Sequence, residues 1–156
     1  MIEVLFVCLG NICRSPMAEA VFRHKVQAAG LQDRIQTDSA GTGDWHIGKP
    51  PHEGTRKLLT RKGIDFTGMK ARQAQREDFQ DFHYILAMDE SNLGNLEPLA
   101  PAGHEAVVKK LMDFSTVRKG IDVPDPYYTG NFDEVYEMVD EACGRLLAVI
   151  REKEGL

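Results

Sequence analysis

The segment that most constrains the fold of this chain is its beginning, where an apolar run leads through a short turn into a helical pattern. The run Ile2–Val7 has the continuous apolar character of a strand that is buried on both faces. A turn with the sequence Cys-Leu-Gly-Asn-Ile-Cys-Arg follows at residues 8–14 and leads into Ser15 and Pro16. A buried strand that passes directly into a helix is typical of parallel β-α-β units, so the beginning of the chain favours an α/β fold.

The rest of the chain continues to alternate strand-like and helix-like segments. Apolar runs predict further strands at Ile35–Ser39, at Tyr84–Met88 together with Phe82, and at Val107–Met112. Periodic patterns and helix-ending residues predict helices at Pro16–Ala29, Glu53–Lys62, Asp89–Leu96 and Phe132–Ile150. Two polar stretches rich in glycine and proline, 40–51 and 115–131, are expected to be long loops. The sequence therefore predicts a single domain, a doubly wound parallel sheet of about four strands with helices on both faces.

Cys8 is expected at the carboxyl end of the first strand, beneath the start of the first helix. In doubly wound sheets, ligands bind at that edge of the sheet. A helix N-terminus and nearby backbone amides hold oxyanions, and the same groups favour a thiolate over a thiol. Arg14 adds a planar, always charged guanidinium suited to phosphate oxygens, and Gly10 permits backbone conformations closed to other residues. The turn is therefore predicted to be a phosphate loop carrying a nucleophile that cleaves phosphate esters through a cysteinyl-phosphate.

The turn as a whole supplies the candidate ligands for the phosphoryl oxygens. The residues assigned to phosphate binding are Leu9, Gly10, Asn11, Ile12, Cys13 and Arg14. Ser15 has two interpretations, as the N-cap of the helix or as a hydroxyl that stabilises the Cys8 sulfur. Asn11 and Ser39 are either turn residues or partners in a hydrogen bond that fixes the loop.

Composition excludes several classes of protein. The chain has 156 residues and a formal net charge of −5, which argues against nucleic acid as its main partner. No apolar run is long enough to span a bilayer, and no signal peptide is indicated, so no membrane association is expected. The three cysteines, Cys8, Cys13 and Cys143, are too few for a disulfide framework, and a reducing compartment, the cytoplasm, is expected. The five histidines lack zinc-site spacing, so neither a metal nor an organic cofactor is predicted.

Residues 8–16 resemble the phosphate loop of the low-molecular-weight protein-tyrosine phosphatases. Further segments resemble the family in the family's order: Ser39–Thr42, Trp45-His46, Ala71-Arg72, Met88-Asp89 and Asp125–Tyr128. The Cys-x5-Arg-Ser element by itself is shared by unrelated phosphatase folds. Its position close to the N-terminus, with Asp-Pro-Tyr-Tyr late in the chain, is much more specific.

The resemblance implies a phosphatase that acts on phosphotyrosine in proteins or on small aryl phosphates and releases inorganic phosphate. In that reaction Cys8 is the nucleophile, Arg14 binds the phosphoryl group and Ser15 stabilises the sulfur as it leaves. Asp125 matches the family's general acid, which spacing alone could not select among 24 acidic residues. The resemblance also implies a substrate rim composed of Ile12, Trp45, Tyr127 and Tyr128.

The other two cysteines receive different interpretations. Cys13 is close enough in sequence to Cys8 to form a disulfide with it under oxidant, and the family is thought to protect its nucleophile in this way. An inert loop cysteine is the equally weighted alternative for Cys13. Cys143 lies on the apolar stripe of the last predicted helix and is expected in the core.

Two rival functions are compatible with a phosphate loop of this kind. An arsenate reductase of the same fold needs two further cysteines on a mobile segment, and residues 70–100 contain none. A regulatory domain that binds phosphate or a phosphoprotein without turnover would not need Cys8, Arg14 and Asp125 together. The substrate itself stays open among phosphotyrosine, phosphoarginine and a phosphorylated metabolite.

Overall fold

Four parallel strands form the centre of the computed structural model, which describes residues 1–156. The strands are β1 (Ile2–Cys8), β2 (Ile35–Gly41), β3 (Tyr84–Ala87) and β4 (Val107–Lys110). They lie in the order β2-β1-β3-β4, and each neighbouring pair is parallel. The predicted parallel sheet of about four strands is confirmed.

Six helices connect and cover these strands. They are α1 (Arg14–Ala28), α2 (Glu53–Arg61), α3 (Asp78–Asp81), α4 (Glu90–Leu96), α5 (Pro126–Thr129) and α6 (Phe132–Glu154). Two 3-10 turns, Glu97–Leu99 and Leu111–Phe114, follow α4 and β4. None of the helices combines the length and apolar character needed to cross a membrane.

The side chains of β1 alternate between two cores on opposite faces of the sheet. Val4, Phe6 and Cys8 belong to the larger core, which includes the buried faces of α1 and α6. Leu5 and Val7 belong to a smaller cluster that includes buried residues of α3 and α4. Because a strand covered on both faces buries every side chain, the part of β1 from Val4 to Cys8 is an unbroken apolar run in the sequence.

Sequence and structure differ at the boundaries of several elements. Helix α1 begins at Arg14 rather than Pro16, and Cys13 occupies its N-cap position, so the N-cap interpretation of Ser15 is wrong. Strand β4 stops at Lys110 because the chain then tightens into a 3-10 turn, and Phe82 lies outside β3. Helix α6 continues past the predicted Ile150. Local propensity does not fix such ends, since caps and packing decide them.

Two short helices were not predicted. Helix α3 is a single turn with one apolar residue, Phe79, and α5 lies inside the segment 115–131 that was expected to be a loop. Helix α5 is only four residues long; Asp125 caps its start and Gly130, with φ of 76°, ends it. Neither helix is long enough to show a periodic pattern, which is the signal that sequence analysis depends on.

The order of the strands determines where a ligand site can form. From β1 the chain crosses to β2 on one side and later to β3 on the other, so the direction of winding reverses at β1. Such a reversal opens a crevice at the carboxyl ends of the strands. Cys8 is the last residue of β1 and lies at this crevice.

Candidate active site

Two polar groups lie within hydrogen-bond distance of the Cys8 sulfur, one from its own loop and one from α1. The backbone N–H of Asn11 donates to Sγ at 3.3 Å, and Ser15 Oγ lies 3.0 Å from Sγ. Cys8 itself is buried. A sulfur that carries negative charge, as a nucleophile or as a leaving group, could accept a hydrogen bond from both groups.

Asn11 holds the loop in shape through its side-chain amide. Its φ of 56° lies in the left-handed region, which asparagine tolerates better than most residues. Nδ2 donates to Ser15 Oγ at 2.8 Å and to Ser39 Oγ at 2.9 Å, while Oδ1 accepts from the backbone N–H of Arg72 at 3.0 Å. The interpretation of Asn11 and Ser39 as hydrogen-bonding partners is therefore confirmed, and the loop-support position predicted for Ser39 lies beside the phosphate loop.

Arg14 is fixed in the floor of the crevice by three neighbours. Nη1 donates to Asp89 Oδ2 at 2.6 Å and to the carbonyl of Val123 at 2.9 Å, and Nη2 donates to Asp125 Oδ2 at 3.4 Å. The Nε–H is buried and donates to no protein group. A buried donor without an acceptor is costly, and a bound oxyanion would supply the missing acceptor.

Asp125 comes to the site from the opposite side of the crevice, about a hundred residues away along the chain. It is the N-cap of α5, and its Oδ1 accepts from the backbone N–H of Tyr127 at 3.1 Å. Its other carboxyl oxygen faces Arg14. The cap thus orients one carboxyl oxygen and leaves the second directed at the site.

A cavity of 340 Å³ opens above the cysteine. Its lining consists of Cys8, Leu9, Gly10, Ile12, Cys13, Trp45, His46, Asp125, Tyr127 and Tyr128. Trp45 is 65% exposed and Tyr128 is 75% exposed, whereas Ile12 is only 7% exposed and forms the wall below them. The structure therefore brings all four residues expected at the substrate rim to the same cavity as the cysteine.

A larger cavity of 500 Å³ lies at the opposite, amino-terminal edge of β3 and β4. It is lined by aromatic, histidine and backbone groups such as Phe79, His83 and His104, and it contains no cysteine or arginine. Size alone would favour that cavity, but it offers neither a strong nucleophile nor a guanidinium. The chemistry therefore selects the smaller cavity at Cys8 as the candidate active site.

The two remaining thiols differ from Cys8 in their surroundings. Burial, together with nearby Cys8 and Asp125, raises the pKa of Cys13 to about 12. Burial also raises the pKa of Cys143, which is fully buried on α6 with its sulfur 3.9 Å from the carbonyl oxygen of Ala18. The prediction that Cys143 belongs to the core is confirmed.

Two residues that support the site lie in segments that resemble the family, but the sequence alone assigned them no role. Asp89 holds Arg14 and, as the N-cap of α4, also accepts from the backbone N–H of Asn92. Arg72 supplies the amide that holds Asn11, and its guanidinium pairs with Asp78 and Asp38. These residues lie far apart in the chain, so no local pattern could have assigned their contacts.

One contact explains why glycine stands at the end of β2. A Cβ on Gly41 would lie 2.8 Å from the carbonyl oxygen of Leu9 and 3.2 Å from the nitrogen of Asn11. The phosphate loop therefore packs directly on the backbone of β2. A side chain at this position would push the loop away from the strand.

The comparison with known families agrees with this geometry. The model of the family described as low molecular weight phosphotyrosine protein phosphatase matches residues 3–155. The chain belongs to this family. The resemblance that the sequence motifs indicated is therefore confirmed across almost the whole length of the chain.

Individual members of the family are similar over their full lengths. The low molecular weight protein-tyrosine-phosphatase YfkJ of Bacillus subtilis is 53% identical and covers 100% of both chains. Its crystal structure superposes with a TM-score of 0.94 over 98% of this chain and 96% of that one. PtpA of Staphylococcus aureus is 48% identical over 100% of this chain and 98% of its own length.

A third similar protein is named for a different activity. The crystal structure of DARP, a Drosophila arginine phosphatase, is 36% identical, has a TM-score of 0.88, and covers 97% of this chain and 98% of its own. Proteins of this fold are therefore named for more than one phosphoryl substrate.

Proposed function

We propose that this chain is a phosphoric monoester hydrolase that removes phosphate from phosphotyrosine, in proteins or in small aryl phosphates, and releases inorganic phosphate. The observation that carries the proposal is one cavity lined by Cys8 and Asp125, with Arg14, whose Nε–H is unpaired, 3.4 Å from the Asp125 carboxyl. The three groups supply a nucleophile, an anion binder and an acid at a single place. Family membership supports the same conclusion.

In the first step, the Cys8 thiolate attacks phosphorus in line with the departing phenol oxygen. Arg14 and the backbone amides of residues 9–14 hold the three equatorial oxygens, whose charge is greatest in the transition state. Asp125 donates its proton to the oxygen as the P–O bond breaks, so the phenol leaves neutral.

In the second step, water attacks the cysteinyl-phosphate. Asp125, now ionised, accepts a proton from the water, the P–S bond breaks and its electron pair returns to Cys8. Ser15, with Oγ 3.0 Å from the sulfur, stabilises that returning negative charge. The two steps balance with no metal or organic cofactor.

The walls of the cavity favour a flat aromatic leaving group. Tyr127 and Tyr128 meet edge to face with ring centroids 5.2 Å apart, and Trp45 lines the same cavity. Ile12 supplies an apolar surface deeper in the cavity. An aromatic ring entering between these walls would bury apolar area against them.

Phosphoarginine is the second candidate substrate, because one structural neighbour is named an arginine phosphatase. A guanidinium leaving group carries polar N–H groups that the apolar Ile12 cannot accept, whereas a phenyl ring suits that wall. We therefore place phosphotyrosine first. A panel of phosphotyrosine, phosphoserine and phosphoarginine peptides distinguishes the candidates by their kcat/KM values.

Arsenate reduction is not supported by the placement of the cysteines. Cys143 is fully buried on α6 and cannot relay a disulfide to the surface without unfolding that helix. We propose instead that Cys13, which lines the same cavity as Cys8, protects the nucleophile as a disulfide under oxidant. The free thiols support a cytoplasmic location.

Substitution of the nucleophile tests the proposed function directly. Cys8→Ser should lower the turnover of p-nitrophenyl phosphate by at least about a thousandfold, because serine is not ionised at neutral pH. The variant should still bind inorganic phosphate in calorimetry, since the loop amides and Arg14 are unchanged. Full turnover by Cys8→Ser would show that the assignment of the nucleophile is wrong.

A further inference from the structure

The hydrogen bonds around the phosphate loop end at a carboxylate on α1 that the proposed reaction does not use. Ser39 Oγ donates to Glu19 Oε1 at 2.6 Å. Glu19 is 7% exposed, although glutamate is seldom buried without a specific partner. The bond therefore joins the buried carboxylate to the residue that supports Asn11.

The directions of the hydrogen bonds made by Asn11 follow from the backbone N–H of Arg72, which can only donate. The backbone N–H of Arg72 can only donate, so the atom of the Asn11 amide that faces it is Oδ1. Nδ2 must then face the two hydroxyls, and it donates to both Ser15 and Ser39. Each hydroxyl accepts from Asn11 and has its own proton free for another partner.

The two free protons go in opposite directions. Ser39 donates to Glu19, which in its ionised form can only accept. Ser15 has the Cys8 sulfur at 3.0 Å and only the carbonyl of Ala40, at 3.4 Å, as a rival acceptor. As the thiolate that the proposed reaction uses, the sulfur can only accept, and the shorter contact then directs the Ser15 proton to it.

We infer that Glu19 is a positioning residue, which acts through Ser39 and Asn11 to direct the Ser15 hydroxyl proton at the Cys8 sulfur. Without an acceptor at position 19, Ser39 Oγ is no longer held where it accepts from Asn11 Nδ2. Asn11 would then lose one of the bonds that hold its side chain against Ser15, and the Ser15 hydroxyl would turn from the sulfur towards the carbonyl of Ala40. The inference rests on the proposed role of Cys8 as nucleophile.

Neighbouring charged residues and burial both influence the ionisation of Glu19. Arg23, one turn further along α1, lies 3.8 Å from Glu19 Oε2, and Arg72 acts from the adjacent loop. Asp38 on β2 opposes them. Burial raises the pKa of Glu19 to about 7, and the hydrogen bond from Ser39 acts against that rise because it favours the ionised form.

Two substitutions at position 19 separate acceptance of a hydrogen bond from mere filling of space. Glu19→Met keeps the approximate volume and removes the acceptor, whereas Glu19→Gln keeps an amide oxygen that can still accept from Ser39. Glu141→Met is the matched control, since Glu141 accepts a hydrogen bond from the buried Ser115 on the far side of α6. The readout is the rate of alkylation of Cys8 by iodoacetamide against pH, resolved by peptide mass spectrometry.

For Glu19→Met we expect the alkylation profile of Cys8 to move to higher pH by about one unit, and the hydrolysis of the cysteinyl-phosphate to slow by about tenfold. Glu19→Gln should keep an alkylation profile and a rate of cysteinyl-phosphate hydrolysis close to those of the parent. Glu141→Met should leave both unchanged. If Glu19→Met folds and its alkylation profile equals that of the parent, the inference is overturned. An equal shift in Glu141→Met would also overturn it.

A second variant keeps the test valid if Glu19→Met does not fold. Ser39→Ala breaks the same bond from its other end and should shift the alkylation profile in the same direction; an unchanged profile would overturn the inference. A parent protein whose Cys8 alkylates like free cysteine would instead contradict the proposed function.

Discussion

Arg14 makes its protein contacts through the two terminal nitrogens of its guanidinium and leaves Nε without a partner. The terminal contacts go to Asp89, to the carbonyl of Val123 and to Asp125. They hold the plane of the guanidinium in place before any ligand arrives, which reduces the reorganisation needed when charge develops on the phosphoryl group. Lysine could not reproduce this, since its ammonium is a single point of charge.

At the same scale, Asp125→Asn tests the proposed acid. Asparagine caps a helix about as well as aspartate, so α5 and its contact with the N–H of Tyr127 should persist. The variant cannot donate a carboxyl proton, so we expect about a hundredfold loss of kcat/KM for aryl phosphates with poor leaving groups and a smaller loss for good ones. A series of substituted phenyl phosphates measures this difference. An equal loss along the series would contradict the acid role.

At the scale of secondary structure, β2 contributes to the site by packing closely against the phosphate loop. The phosphate loop lies between the end of β2 and the start of α1, and Gly41 is the point where loop and strand backbones nearly touch. Hydrogen bonds from Thr42 N to Cys8 O and from Gly43 N to Leu9 O, both 2.9 Å, tie the loop to the segment after β2. The shape of the active site therefore depends on strand pairing as much as on the loop sequence.

Gly41→Ala should disrupt this packing. The added methyl would lie 2.8 Å from the carbonyl oxygen of Leu9, so the loop must shift, and we expect at least about a tenfold fall in kcat/KM. Steady-state kinetics with p-nitrophenyl phosphate measures this fall in kcat/KM.

The matched control is Gly94→Ala in α4, where a Cβ meets no atom within 4 Å. That variant should gain about 0.5–1 kcal/mol of stability with unchanged kinetics, because alanine favours helix. If Gly41→Ala also kept full activity, the close approach would not matter for the site.

On the scale of the whole molecule, the core and the site share the same helix. One face of α1 packs on the sheet and on α6, with Met17, Val21 and Phe22 buried in the larger core. The same helix carries Arg14, Ser15 and Glu19, which belong to the network at the sulfur. Folding therefore places polar groups in a buried position where they depend on one another, and the stability of the whole protein should respond to their ionisation.

The free energy of unfolding should fall as pH rises between about 4.5 and about 7 because of Glu19. Its pKa is raised, chiefly by burial, from the ordinary 4.5 to about 7, so the folded chain binds more protons than the unfolded chain in that window. The contribution is fully present below the unfolded value and is lost as pH rises through the folded value; its size is on the order of 3 kcal/mol.

Urea titrations at several pH values measure this dependence. Glu19→Gln, which has no ionisable group, should flatten the curve over the same window. The control Glu141→Gln should keep the slope of the parent there, since the pKa of Glu141 is lowered by its hydrogen bonds with Ser115 and Thr116 in spite of partial burial. A parent whose stability does not change between those pH values would contradict the raised pKa of Glu19.

The sequence by itself determined the fold class and the reactive end of the site. The apolar run of β1, the glycine-containing turn and the helix that follows it are contiguous, and local sequence determines contiguous structure. Cys8, Arg14 and Ser15 could be assigned for that reason, and Asp125 only through family resemblance. The roles proposed for these four residues stay predictions.

Only the tertiary structure decided what surrounds those residues. It showed that Ser15 faces the sulfur instead of capping the helix, that Asp89 and Val123 hold Arg14, and that a buried Glu19 ends the network. These contacts join segments of α1, β2 and the loops after β3 and β4, which are distant in the chain. Hydrogen-bond direction and burial arise only when the strands pair and the helices cover them, so periodicity and motif spacing carry no record of them.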